Sequence, residues 1–277
     1  IRDRYSSTCD QTITDPNDRP TDMQVDVKSP YVVDYLWPMV AECVRNYDLD
    51  GLFFDFPGNE EFVRETVRLV KGIKPGMVVA YNHQWAKSRD ELGELDVLEL
   101  ESWRHKQPLY HWQYYARYAR GAVPLTAMTI RFHKSWGDFG GITSEAMLRV
   151  HAATAMANGC LLTIGDHLHP SGRLDPAVYG RIGRVLREVM KIEPYVAGSE
   201  SIPYVALLRP KNVALMGVDG ACHALLDSGI HFTVIDPSQD PKPFTAVVMP
   251  EAGMADDALT ARLQEYVENG GRLLAFG

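Results

Sequence analysis

The chain has 277 residues, of which 45% are hydrophobic and 23% charged, a globular balance that argues against disorder and fits one large domain or two ordinary ones. With 28 basic and 36 acidic residues the net charge is −8, so there is no basic excess to neutralise phosphates and nucleic acid is not an expected partner. No apolar run approaches the roughly 18–20 residues of a membrane span, so no membrane partner is expected, and Cys9, Cys43, Cys160 and Cys222, without a C-x-x-C, argue against a disulfide scaffold or a zinc ribbon.

Residues 1–28 are polar, with Asp15-Pro16-Asn17-Asp18-Arg19-Pro20 as turn chemistry. The chain opens on Ile1 with no signal-peptide pattern. It closes on Gly277 directly after a strand-like run, which needs a further element to cover it. The expectation is a piece of a longer protein. Val33, Leu36, Val40 and Val44 keep helical spacing between Tyr31 and Tyr47, with Ser29-Pro30 marking the start. Gly51–Phe56 is a near-continuous apolar run ended by Pro57-Gly58, and reads as a strand buried on both faces. There follow an amphipathic helix at 60–71, strands at 77–81 and 96–100, and a helix at 111–120. A strand at 123–130, a helix at 144–157, a strand at 160–164 and a helix at 177–191 complete the block. Alternating units of about 20 to 35 residues predict a parallel sheet with crossover helices, either a (β/α)8 barrel or an open doubly wound sheet. No G-x-G-x-x-G follows a strand and no Walker motif occurs, which favours the barrel. After Tyr195-Val196-Ala197-Gly198 the pattern restarts with strands at 204–208, 231–235 and 246–249 and a helix-like stretch at 218–228. A helix at 255–269, stopped by Gly270-Gly271, precedes the terminal strand. This predicts a smaller flavodoxin-like α/β domain from about residue 203, after a barrel portion spanning 1–198.

Chemistry in parallel α/β folds sits at the carboxyl ends of strands. Asp55 ends the first strand among phenylalanines. A buried, unpaired carboxylate there is costly, so it is either functional, a cap on the following loop, or the partner of an Arg. Glu99 and Glu101 share one strand face with Val97, while Leu98 and Leu100 share the other. Glu101 lies nearer the mouth. Two carboxylates about 5–5.5 Å apart perform retaining glycoside hydrolysis, and about 6.5–9.5 Å suits inversion. Trp85, Trp103 and Trp136 each follow a strand in a loop. Indole faces stack on sugars, although loop packing explains any single one equally well. Asn82 and His83, directly after the strand at 77–81, are named with them as candidate sugar contacts. His167 and His169, in Asp166-His167-Leu168-His169-Pro170, are expected to bond substrate hydroxyls or loop backbone; they lack a third partner at metal-ligand spacing, so no metal is expected.

These residues resemble the α-L-fucosidase-type glycoside hydrolases. Tyr47-Asp48-Leu49-Asp50-Gly51-Leu52-Phe53-Phe54-Asp55 is similar to their fourth-strand segment, which ends in the nucleophilic aspartate. Met128-Thr129-Ile130 followed by Ser135-Trp136-Gly137, and Asn158 to Gly165 followed by Pro170-Ser171-Gly172-Arg173-Leu174, resemble two further stretches of the same enzymes. Asp96–Glu101 is similar to the segment carrying their acid/base glutamate. Phe56 replaces the usual Gly after the nucleophile, and Glu99-Leu100 replaces a Thr-Pro, which implies a divergent branch. From Leu225 to Ala275 the chain is very similar to a β-galactosidase trimerisation domain, itself of the glutamine-amidotransferase-like fold.

The resemblance implies the fourth to eighth strands of a (β/α)8 barrel. It implies Asp55 as nucleophile, Glu101 as acid/base with Glu99 as the alternative, a glycoside or oligosaccharide substrate, no cofactor, and a homo-oligomer, a trimer among the options. Glu101 would have to carry its proton at working pH. Three competing readings are a β-galactosidase-like hydrolase, a carbohydrate-binding or assembly module without activity, and an amidotransferase using Cys222. The first uses two glutamates, on strands four and seven, whereas strand four here ends in Asp55 and the strand at 123–130 offers no Glu. Both carboxylates expected for activity are present, which counts against the second. Cys222 lacks a nucleophile elbow.

Overall fold

The computed structural model describes residues 13–14, 20–21, 30–55, 60–82, 89–93, 95–103, 110–209, 216–250 and 255–276. Strands β1 (Gly51–Phe54), β2 (Val78–Asn82), β3 (Val97–Glu101), β4 (Leu125–Ile130) and β5 (Leu161–Gly165) form one sheet in chain order. The pairs β1–β2, β3–β4 and β4–β5 are parallel. Helices α1 (Trp37–Asn46), α2 (Glu60–Ile73), α3 (Arg89–Leu92), α4 (His111–Ala119), α5 (Glu145–Ala157) and α6 (Pro176–Val196) alternate with the strands. This is the succession of neighbouring βα units in a (β/α)8 barrel, here a partial one. A second parallel sheet of β6 (Val205–Leu208), β7 (Phe232–Ile235), β8 (Ala246–Met249) and β9 (Arg272–Ala275) has the order β9-β8-β6-β7. Its helices are α7 (Met216–Asp227) and α8 (Asp257–Glu268).

The chain divides into two compact units, Ile1–His83 with Leu95–Val97, and Gln84–Glu94 with Leu98–Gly277. In the first, Val40, Ala41 and Val44 of α1 and Phe62, Val63 and Val70 of α2 are buried, on the stripe that their helical spacing dictates. Trp37 stacks on Phe62 at 6.3 Å and its indole N–H donates to Thr66 Oγ1 at 3.1 Å. A π-turn, Val32–Leu36, precedes α1. The expected burial of the first strand on both faces is corrected. Phe53 is 51% exposed, because β1 is the outer strand of its sheet among the described residues. Asp96 joins three segments: it accepts from Val79 N at 2.9 Å and pairs with Lys71 of α2. Asp96→Ala is therefore expected to destabilise the protein by about 1–3 kcal/mol, read as a lowered denaturant midpoint, since a backbone donor and a half-buried cation both lose their acceptor.

In the second unit, Ser144 caps α5 by accepting from Met147 N, and Asp175 caps α6 with Pro176 at its first position. Helix α6 continues beyond the expected stop at Lys191 to Val196, with Pro194 inside its last turn. Leu148 and Ala152 of α5 pack with Val178, Ile182 and Val185 of α6 and with Leu162 and Ile164 of β5. In the second sheet, Ala206, Leu208, Ile235, Val247 and Met249 meet Leu259, Leu263 and Tyr266 of α8. Helix α4 lies along the outer strand β7. Arg117 Nη1 donates to Phe232 O at 2.9 Å, Thr233 Oγ1 to Arg117 O at 3.3 Å, and Tyr118 OH to Asp236 Oδ2 at 2.7 Å. Arg209 covers the Tyr118 ring at 4.2 Å. Burial and the bond to Asp236 push the Tyr118 hydroxyl up to about 12, so this bond persists across the neutral range. Cys222 is buried in the middle of α7, not on the strand-to-helix turn that a nucleophile elbow requires.

Candidate active site

Asp55 follows the last residue of β1 and is exposed. Its Oδ1 accepts from Asn82 Nδ2 at 2.9 Å. Asn82 ends β2 and is 4% exposed, so a buried neutral amide orients an accessible carboxylate. Phe54 and Phe62 meet edge-on at 6.0 Å beneath it, which ties the strand end to α2. His83 and Trp85 lie outside the described residues.

In the other unit, registers Glu99↔Thr126, Glu101↔Met128, Met128↔Thr163 and Ile130↔Gly165 place these residues on one sheet face. Leu162 and Ile164, on the opposite face, pack against the helices. Glu99 and Glu101 therefore share the face that points inward in a barrel, as their alternation predicts. Both are buried. Thr126 Oγ1 donates to Glu99 Oε2 at 3.3 Å. Ser102 N donates to Met128 O at 2.8 Å, which carries the ladder past Glu101. Trp103 is 4% exposed and packs with Ile130 and Phe132. Its indole lines a cavity of about 220 Å³ with His133, His151 and Arg181. It is a core aromatic rather than an open platform.

Trp136 is 45% exposed. It meets Phe132 edge-on at 5.7 Å and stacks near His167 at 6.5 Å. Phe139 sits between His167 and His169, at 5.6 and 5.5 Å. His169 Nδ1 accepts from Ser171 N at 3.1 Å, so it bonds loop backbone. Trp136 lies against Gly165. A Cβ there would come within 2.6 Å of its ring, so β5 ends on a residue without a side chain. Gly165→Ala is expected to displace Trp136 while leaving the fold intact, seen as a shifted tryptophan emission with a melting temperature within about 2–4 °C of the parent.

Sequence reasoning passed over Arg131, Asp166 and Tyr179. Asp166 Oδ1 accepts from Arg131 Nε at 2.9 Å and from His167 N at 2.7 Å, and its Oδ2 from Tyr179 OH at 3.1 Å. Burial opposes its charge, but these three donors together hold the carboxyl below its ordinary value of 3.8. A depressed carboxylate stabilises the fold above its unfolded pKa, and that contribution fades as pH falls through the folded value. The signal was the same as for Asp55, an acidic residue directly after a strand. Among the described residues no three His, Cys, Asp or Glu side chains are placed to hold a metal, and no helix is long and apolar enough to cross a membrane.

Residues 222–276 match the model of the β-galactosidase trimerisation domain. Among solved structures, α-L-fucosidase isoenzyme 2 from Paenibacillus thiaminolyticus is 28% identical with a TM-score of 0.81, over 99% of this chain and 49% of that one. The β-galactosidase from Bacillus circulans sp. alkalophilus is 14% identical, TM-score 0.63, over 78% of this chain and 38% of that one. That from Rahnella sp. R3 is 16% identical, TM-score 0.63, over 99% and 45%. The chain thus spans half or less of the length of these structures. No curated protein matches the sequence. The chain joins part of a (β/α)8 barrel, of the fold found in these glycosidases, to the β-galactosidase trimerisation domain that residues 222–276 match.

Proposed function

We propose that the protein is a retaining glycoside hydrolase acting on α-L-fucosides or related glycosides. One observation carries this reading: a chain 28% identical to an α-L-fucosidase across 99% of its length presents Asp55, held by Asn82, at a strand's carboxyl end. Asp55 attacks the anomeric carbon and displaces the leaving oxygen. Glu101 gives that oxygen its proton, then removes one from the water that releases the sugar. Glu99, bonded to Thr126, is the alternative acid/base. Asn82, His83, Trp85, Trp136, His167 and His169 are assigned to sugar binding, and Trp103, closed over by Ile130 and Phe132, is left out of that set. In this reading the barrel portion spans residues 1–198 and the second domain starts at 203.

The trimerisation-domain match supports a second reading, a β-galactosidase. Rates on paired aryl α-L-fucosides and β-D-galactosides separate the two. The fucoside is expected to react at least about tenfold faster, with the α-anomer as first product; the reverse preference selects the galactosidase. The same domain match leads to an expected homotrimer in solution, checked by light scattering, for which a monomeric mass is the contrary result.

A further inference from the structure

We propose that Arg131 and Asp166 are positioning residues that hold Trp136 and His167 in their sugar-binding arrangement. What Trp136 binds rests on the glycosidase reading above; how it is held does not.

The Arg131 side chain is 7% exposed and that of Asp166 is 14% exposed. Arg131 begins the loop after β4, and Asp166 the loop after β5. Their ion pair ties together the two loops that carry Trp136 and His167. Arg131 uses Nε on Asp166 and lays its guanidinium plane against two rings, Phe132 at 4.4 Å and Phe139 at 5.1 Å. Those rings are the supports of the rim. Phe132 abuts Trp136, and Phe139 abuts His167. Asp166 adds the His167 N–H and the Tyr179 hydroxyl of α6, so the pair is anchored to a helix. An arginine this buried is tolerated because its charge is matched and its faces are covered. Without the carboxylate the guanidinium must move towards water, and both rings lose their support. Lysine offers the charge but no plane to lie between Phe132 and Phe139.

The test uses the full-length protein and the aryl glycoside it turns over. Asp166→Asn and Trp136→Ala are each expected to raise KM about tenfold or more while kcat changes less than about threefold, because binding geometry is lost while Asp55 and Glu101 are untouched. The double variant should lose clearly less than the product of the two single losses, since Asp166 acts in part through Trp136. An unchanged KM in Asp166→Asn, or losses that multiply in the double variant, overturns the proposal. Arg131→Lys should share the defect, and it carries the test if Asp166→Asn does not fold; a normal KM for it overturns the role of the guanidinium plane. A second readout is independent of turnover. The emission of Trp136, taken as the difference from Trp136→Phe, should show about a twofold larger fast component of anisotropy decay in Asp166→Asn. If no glycoside is hydrolysed, the glycosidase reading fails and this measurement decides the clamp, with an unchanged decay overturning it.

Discussion

Asp55→Gly is expected to lower turnover of an aryl α-L-fucoside by several orders of magnitude, and added azide to restore part of it, releasing a glycosyl azide of inverted configuration. The first effect follows from losing the covalent half of the reaction. The second follows from geometry: removing a side chain that is exposed at a strand end opens room for a small anion at the same carbon. Asp55→Asn should be equally slow, yet it retains an oxygen that can accept from Asn82 Nδ2, so the strand end should keep its structure. That variant separates chemistry from folding. Activity near that of the parent in either variant removes Asp55 from the nucleophile role. Product configuration is read by proton NMR on the azide.

Glu101→Ala and Glu99→Ala should part company according to the leaving group. Glu101 ends β3, and Glu99 sits two residues deeper on the same face, bonded to Thr126. Without Glu101, substrates with poor leaving groups should become inert, since nothing protonates the departing oxygen. Dinitrophenyl glycosides need no such proton and should still glycosylate Asp55. Release then limits the rate, and a covalent adduct on Asp55 should accumulate in intact-mass spectra. Glu99→Ala should raise KM or lower stability without that dependence. The opposite pattern would exchange the two roles.

The strand order of the first sheet was legible because each strand is a short apolar run between helical periods, and such runs survive reading one residue at a time. The same habit misjudged β1, since an apolar run does not say whether a neighbour lies on both sides. Phe53 is exposed for that reason. Asp55, Glu99 and Glu101 stood out because carboxylates are rare in apolar strands. Asp166 obeyed the same rule and was missed, because His167 and His169 beside it drew the metal question first. Trp103 and Trp136 look alike in sequence, each in a loop after a strand. Only tertiary packing separates them: one is closed over by Ile130 and Phe132, the other is left on the rim. The contacts of α4 with β7 had no local signal at all.

Those contacts also govern when the protein can finish folding. Helix α4 meets the strand that covers it across a sequence separation of 115 residues, from Arg117 to Phe232. At a translation speed of about 5–20 residues per second, α4 is made roughly 6 to 23 s before its partner exists. During that interval the edge formed by Arg117 and Tyr118 has nothing to bond. Such a high contact order slows the last step of folding and leaves the nascent chain exposed to misassembly. Slowing synthesis between residues 120 and 236 should therefore lower the soluble yield.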